Sequence, residues 1–188
     1  MSRTIMPAAA SFPAEFAHIG RLVVGYGELE FSLVGLAEAV TGVLVTPLRV
    51  LFRVRSESQR LDLADALIRP SIDEKLRPQY EKVLSDLRYC LQIRNQFAHA
   101  HWASEGNRLN FTHLEGAAKR NDAEARLTLR YVDLSLLEQQ EAFFVYVDDC
   151  LFHLTDASAE LASRPLGHDG LAAARPRPLK RPALFVAS

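Results

Sequence analysis

The stretch Ile19–Val40, which reads IGRLVVGYGELEFSLVGLAEAV, decides the fold class. Its apolar residues recur at spacings of three and four, which is typical of one face of an amphipathic helix. These residues are Ile19, Leu22, Tyr26, Leu29, Leu33, Leu36 and Val40. The pattern extends outward to about Pro13 and Val45, so we expect a long first helix with one tightly packed face.

Two further helical segments follow along the chain. Thr46 is expected to cap a second helix that has a proline as its first residue and runs to about Arg69. Pro70 should end that helix, because proline cannot continue a helical hydrogen-bond ladder. Ser71, with a glutamate three residues later, forms a capping box for a third helix that we expect to continue to about Trp102.

The period of the pattern changes after the third helix. Residues 108–114 and 126–132 alternate between apolar and polar side chains, and this predicts a β-hairpin with a long exposed loop. Asp133 or Ser135 then caps a fourth helix. Its apolar stripe is Leu137, Phe144, Val147, Leu151, Leu154 and Leu161. The chain is therefore predicted to be mainly α, with about four long helices and a β-hairpin inserted at about residues 108–132.

Charge divides the chain into two parts. Residues 164–188 contain five basic side chains, one acidic side chain and four prolines, which is typical of a flexible tail. The whole chain has a formal charge of −1, so residues 1–163, the expected domain, carry about −5. A mildly acidic body does not favour binding of duplex DNA by charge alone, since counterion release needs a coherent positive surface.

Composition and cysteine content indicate what kind of protein this is and in which compartment it is expected. A chain of 188 residues that is 48% hydrophobic can bury a core without covalent staples. Cys90 and Cys150 have no partner at metal-ligand or redox-motif spacing, so we expect free thiols and a cytoplasmic protein. The most apolar run, residues 31–45, is interrupted by Glu38 and is too short to cross a bilayer, and no secretory leader is expected.

Arg94 lies within the expected apolar stripe of the third helix. The stripe consists of Leu76, Val83, Leu87, Cys90, Leu91 and Ala98. A guanidinium cannot be buried unpaired, so an acidic or anionic group must meet it. Asn95 and His99 share the adjacent polar edge. A permanent cation, an amide and a group that titrates near neutrality suit phosphate-ester chemistry, and RNA supplies its own nucleophile, the 2′-hydroxyl.

The sequence Arg94–His99, RNQFAH, resembles the R-x4-6-H motif of the HEPN superfamily, and Gly27–Glu30 is similar to the first helix of its small bacterial members. The resemblance implies an antiparallel helical bundle and a homodimer. It also implies a metal-independent endoribonuclease for single-stranded RNA, of toxin or phage-defence type, without a cofactor. Arg94, Asn95 and His99 would form its catalytic site, supported by Glu30 and His101. An antitoxin or regulatory protein is a further expected partner.

In one branch of this family an antitoxin modifies a tyrosine that stands two residues after the histidine. This chain has His101 at that position, and regulation by such a modification is therefore not expected. Several alternatives stay open. Arg94 could form a buried ion pair with Glu30 or Glu28, and His99 could be a helix-end residue. Four arginines could contact RNA, although a solvated face is favoured: Arg49, Arg53, Arg55 and Arg60. A metal on His99 and His101 is disfavoured. A non-catalytic dimerisation or nucleotide- or RNA-binding module is the competing function.

Overall fold

The computed structural model describes residues 5–118, 127–163 and 174–186. The chain forms two compact units. Unit 1 comprises Met1–Val24, Gln92–Ala142 and Arg181–Ser188, and unit 2 comprises Gly25–Leu91 and Phe143–Lys180. Each unit is thus assembled from segments that are distant in sequence.

The described residues are mainly helical, with one small sheet, as the sequence predicts. The helices are α1 (Pro7–Ser11), α2 (Pro13–Thr41), α3 (Thr46–Leu51), α4 (Glu57–Ile68), α5 (Arg77–Ala98), α6 (Leu114–Ala118) and α7 (Leu134–Leu161). The strands are β1 (His101–Glu105), β2 (Arg108–Thr112) and β3 (Arg130–Val132), which form an antiparallel sheet in the order β1-β2-β3. None of the helices in the described ranges has the length and hydrophobicity needed to cross a membrane.

The predicted first helix is confirmed as α2. All of its periodic apolar residues are buried except Val40, which is half-buried. The helix ends at Thr41 because Gly42 adopts a left-handed conformation, with φ of 71°, and its amide bonds back to the Glu38 carbonyl. This is a common way for a helix to end, since glycine has no Cβ to oppose positive φ.

The single second helix predicted over residues 46–69 is wrong, because the segment contains α3 and α4 with a break between them. The break has a local cause. The Ser56 side chain accepts a hydrogen bond from the Gln59 amide at 3.4 Å and so starts a new helix. At the first of these helices Val45, in a left-handed conformation, occupies the cap position expected for Thr46.

The third helix is shorter at both ends than the predicted Ser71–Trp102. Ser71 does not cap it; instead the Asp73 side chain accepts from the Lys75 amide at 2.8 Å and holds a turn that delays the start of α5 to Arg77. At the other end the helix stops at Ala98, and Trp102 belongs to β1.

The predicted hairpin is correct in its pairing of residues near 109 and 132 but omits β1. Leu109 pairs with Val132 across β2 and β3. β1 and β2 form a tighter hairpin, in which Glu105 pairs with Arg108 and Gly106, with φ of 60°, occupies the turn. A glycine with positive φ as the first turn residue is the requirement of a type II′ turn. The predicted loop falls partly on residues 119–126, which lie outside the described residues.

Unit 1 packs around an aromatic cluster beneath the sheet. Trp102 contacts three other rings, with centroid distances of 5.2 Å to Phe16, 5.7 Å to Phe97 and 5.2 Å to Phe111. Phe97 and Phe111 are both buried, so the cluster joins α2, α5 and two strands. Such edge and tilted ring pairs contribute about 0.5–1.5 kcal/mol each beyond their buried area.

Unit 2 has a separate aliphatic and aromatic core. Its buried side chains include Tyr26, Leu29, Leu33, Leu36, Leu61, Ile68, Tyr80, Leu87, Phe143, Leu151 and Leu154. The predicted stripe of the fourth helix is buried from Leu137 to Leu154, but Leu161 is exposed at the end of α7. Neither Cys90 nor Cys150 forms a disulfide bond, and both side chains are buried.

Residues 181–186 do not behave as the free tail that the composition predicts. Val186 forms an antiparallel bridge with Tyr131, and the Val186 amide donates to the Tyr131 carbonyl at 2.8 Å. The side chains of Gln96 and Gln140 donate hydrogen bonds to the carbonyls of Leu184 and Ala183, respectively. The first part of the predicted tail, residues 164–173, lies outside the described residues.

Asp133 caps α7, because its Oδ1 accepts from the Leu136 amide at 2.8 Å. Asp133→Ala should therefore lower the free energy of unfolding by about 1 kcal/mol. Ser135→Ala removes the other candidate cap, whose hydroxyl accepts from Gln139 on the surface at 3.3 Å, and should cost less than about 0.5 kcal/mol. Urea denaturation compares the two variants, and equal losses would contradict the assignment.

Candidate functional site

The candidate site lies at the C-terminal end of α5, where the face of the helix that carries the apolar stripe reaches the surface. Leu87, Cys90 and Leu91 of that stripe are buried. Further along the same face Arg94 is half-buried, and Ala98, expected in the core, is exposed. The guanidinium of Arg94 therefore sits at the boundary between core and solvent rather than within the core.

Arg94 and Asn95 are brought together directly. The Arg94 Nη1 donates to Asn95 Oδ1 at 2.8 Å in an exposed setting, and Asn95 itself is exposed. Because the acceptor oxygen of the amide faces the guanidinium, the remaining polar group of Asn95 is its NH₂ donor. The pair thus presents a cation and an amide donor at the surface, a combination suited to an anion.

His99 is exposed and lies one residue beyond the end of α5, not within the helix as the sequence predicts. His101 is also exposed, at the start of β1. Both histidines are accessible to a solvent-borne ligand.

His113 ends α5 at this point. Its Nε2 donates to the Gln96 carbonyl at 2.8 Å, and its Nδ1 faces Arg130 Nη1 at 3.5 Å. The Ala100 amide bonds to the Phe97 carbonyl at 3.3 Å and closes the turn. A helix leaves its last carbonyls without partners, so these two bonds fix the end of α5 and the position of His99.

Glu30 and Arg60 form a buried ion pair within unit 2. Arg60 Nε lies 2.9 Å from Glu30 Oε1, without the alignment of a hydrogen bond, and the Arg60 guanidinium lies 5.2 Å from the centre of the Phe52 ring. The side chain of Arg60 is 16% exposed and that of Glu30 is 8% exposed. Arg60, expected to contact RNA, is therefore engaged inside its unit, and Glu30 is the partner of this arginine.

The other candidate residues are distributed as follows. Arg49, Arg53 and Arg55 are exposed around α3 and the segment that precedes α4, as a solvated face requires. Within the described ranges no group of three or more histidine, cysteine or acidic residues is arranged to hold a metal ion.

A polar triad in unit 1 carries no sequence signal, because Glu141 is about 120 residues away from its other two members, His18 and Arg21. Arg21 Nε and Nη2 bond to the two oxygens of Glu141 at 2.6 and 3.0 Å, and His18 Nδ1 lies 2.5 Å from Glu141 Oε2. The hydrogen bond from Arg21 lowers the pKa of Glu141, so this carboxyl stays ionised and joins α2 to α7. It is suited to a structural role rather than to donating protons.

Comparison of the chain with protein-family models, curated proteins and solved structures gives no match. The HEPN relationship therefore stays a prediction that depends on the Arg94–His99 motif and its helical setting.

The Glu30–Arg60 pair yields a stability prediction. Arg60→Ala leaves a buried carboxylate without its guanidinium and should lower the free energy of unfolding by about 3 kcal/mol. Arg53→Ala, at an exposed arginine nearby, should change it by less than about 0.5 kcal/mol. Chemical denaturation measures both. Glu30→Gln should recover part of the loss in the Arg60→Ala chain, and no recovery would refute the pairing.

Proposed function

We propose that the chain is a metal-independent endoribonuclease of toxin or phage-defence type, with an HEPN-like antiparallel bundle of about four long helices and an inserted hairpin, acting as a homodimer on single-stranded RNA. One observation carries the proposal. The Arg94–Asn95 pair and His99 all lie at the surface at one end of α5. An arginine at a core boundary that is paired with an amide, beside an accessible histidine, suits a phosphate ligand.

The roles of the three residues follow from their chemistry. Arg94 binds the scissile phosphate and offsets the charge that develops on it in the transition state. Asn95 orients the guanidinium through its Oδ1 and can donate from its NH₂ to a phosphate oxygen. His99 accepts the proton of the RNA 2′-hydroxyl, and the 2′-oxygen attacks the adjacent phosphate. The bond from phosphorus to the 5′-oxygen of the next nucleotide breaks, a protonated histidine donates a proton to that oxygen, and a 2′,3′-cyclic phosphate is left. No metal is required, since the substrate supplies the nucleophile.

A homodimer completes this scheme because one histidine cannot serve as base and acid at the same moment. Two-fold symmetry would bring a second His99 and a second Arg94 to the same cleft. Exposed apolar side chains are available for such an interface in unit 2. On α5, all of whose residues are described, no large apolar side chain is exposed, whereas Phe31 of α2 and Val145 and Phe152 of α7 are exposed.

These exposed apolar residues also favour the second candidate, a non-catalytic dimerisation or RNA-binding module. The Ser32 hydroxyl donates to Asp148 at 2.6 Å and holds α2 beside α7 next to them. In that case Arg94 and His99 would serve to stabilise the dimer rather than to act on RNA. The two functions differ in whether His99 is needed for stability or for cleavage.

His99→Ala should abolish cleavage without unfolding the protein. His99 is exposed, so the substitution should change the free energy of unfolding by less than about 1 kcal/mol. Loss of proton transfer should slow cleavage of single-stranded RNA by about a hundredfold or more. Single-turnover assays in excess chelator measure this rate and the cyclic phosphate end.

His101→Ala is the matched control, because His101 is an exposed histidine two residues away with only a supporting role. It should retain cleavage within about tenfold of the parent. Arg94→Ala should lose activity, whereas Arg88→Ala, at an exposed arginine of the same helix paired with Asp62, should not. If His99→Ala remains folded and cleaves as fast as the parent, the ribonuclease proposal fails and the module takes its place.

Assembly provides an independent test. Light scattering of the parent chain at tens of micromolar, a concentration well above the Kd of a typical specific interface, should give the mass of a dimer. Phe31→Asp places a charge on the exposed apolar face and should give a monomer, whereas Val43→Asp, at an exposed loop residue, should not. A monomeric parent would overturn the two-chain site.

A further inference from the structure

The segment Arg181–Val186, which we call the C-terminal segment, lies in a groove of unit 1. We call this the glutamine groove and define it by four residues: Gln96, Arg130, Tyr131 and Gln140. Gln96 Nε2 donates to the Leu184 carbonyl at 2.8 Å. Gln140 Nε2 donates to the Ala183 and Leu184 carbonyls at 2.8 and 3.2 Å. The groove therefore holds the backbone of an extended peptide.

Gln140 shows that the groove depends on this ligand. Its side chain is fully buried, and its NH₂ group donates to two carbonyls that both belong to the C-terminal segment. A buried amide donor that loses its acceptor costs about 1–3 kcal/mol. An apolar side chain would fill this space without such a cost. The glutamine is therefore explained by a peptide backbone in the groove.

Other contacts select the side chains of the ligand. Pro182 is buried, and the Arg130 guanidinium lies 5.1 Å from the centre of the Phe185 ring. The Val186 amide donates to the Tyr131 carbonyl of β3, which is the edge strand of the three-stranded sheet. Addition of an extended peptide to a sheet edge, with pockets for particular side chains, is a common mode of peptide recognition.

Most side chains of the C-terminal segment remain accessible to solvent. Arg181, Ala183 and Phe185 are exposed, and Leu184 and Val186 are half-buried, so Pro182 is the one buried side chain of the segment. Segments with few buried contacts open locally at a free energy well below that of global unfolding. The groove should therefore exchange its ligand while the rest of the protein stays folded.

We propose that the glutamine groove is a peptide-binding site whose ligand is the chain's own C-terminal segment, held reversibly in the same molecule. A free peptide of the same sequence competes for the groove. The proposal does not depend on the ribonuclease activity, although Gln96 lies directly after Asn95, so that the groove adjoins the candidate site along α5.

The test measures binding of a fluorescent, amidated peptide with the sequence Arg181–Val186 to the full-length protein by anisotropy. Val186→Pro in the protein removes the amide that bonds to Tyr131 and should release the chain's own segment. If the groove is filled by the chain's own segment in at least nine-tenths of the molecules, release of that segment should lower the Kd of the peptide by about tenfold or more. Changes in the NMR chemical shifts of the Gln96 and Gln140 side-chain amides, which donate to carbonyls of the segment, report the release itself.

Gln140→Leu in the Val186→Pro chain keeps the volume of the side chain but removes its donors, and should weaken binding at least tenfold. Gln139→Ala, at the exposed neighbouring glutamine, should leave binding unchanged. A peptide carrying Phe185→Asp should bind more weakly than the parent peptide. Where Val186→Pro does not release the segment, Phe185→Asp in the protein serves instead.

The proposal is overturned if the protein with its C-terminal segment released binds the peptide no more tightly than the parent protein does. It is also overturned if Gln140→Leu leaves binding of the peptide unchanged. Binding of the peptide does not involve RNA, so failure of cleavage and failure of peptide binding are separate results.

Discussion

The hydrogen bond from His113 Nε2 to the Gln96 carbonyl fixes the end of α5, and the start of the sheet and the exposure of the candidate site both depend on where that helix ends. It stops α5 before its predicted end, so that the next residues form β1 and the sheet. It leaves the Arg94–Asn95 pair and His99 at the surface of the last turn. The Gln96 side chain, fixed by the same turn, holds the C-terminal segment. Gln96 thus helps to end α5 through its backbone carbonyl and contacts the C-terminal segment through its side chain.

Arg94 and Arg60 show how burial assigns different roles to residues of one type. Both are half-buried arginines in helices with apolar stripes. Arg60 meets a buried carboxylate and an aromatic ring, which together neutralise and cover its charge. Arg94 donates to the exposed amide of Asn95, and this bond orients its guanidinium at the helix surface. The surroundings of each side chain thus direct one arginine toward the core and the other toward solvent.

The sequence predicts those parts of the structure that depend on a strong apolar period. The buried face of α2 and that of α7 up to Leu154 are confirmed because one face of each helix packs against a core. β1 has no buried residue and hence no alternating pattern to recognise. Ser56 and Asp73 act through local side-chain bonds that compete with longer helices. The residues of the candidate site are readable from type and spacing, whereas the position of His99 depends on His113, distant in sequence.

Unit 1 is discontinuous, and this has a consequence for its synthesis. Its three segments enter the chain at the beginning, in the middle and after residue 180. During translation Gln140 emerges long before the carbonyls of Ala183 and Leu184 that its buried amide bonds to. Contacts between such distant segments form slowly, because a long loop must close first. The nascent chain therefore passes through a stage in which unit 1 is packed but this groove is open to other extended peptides.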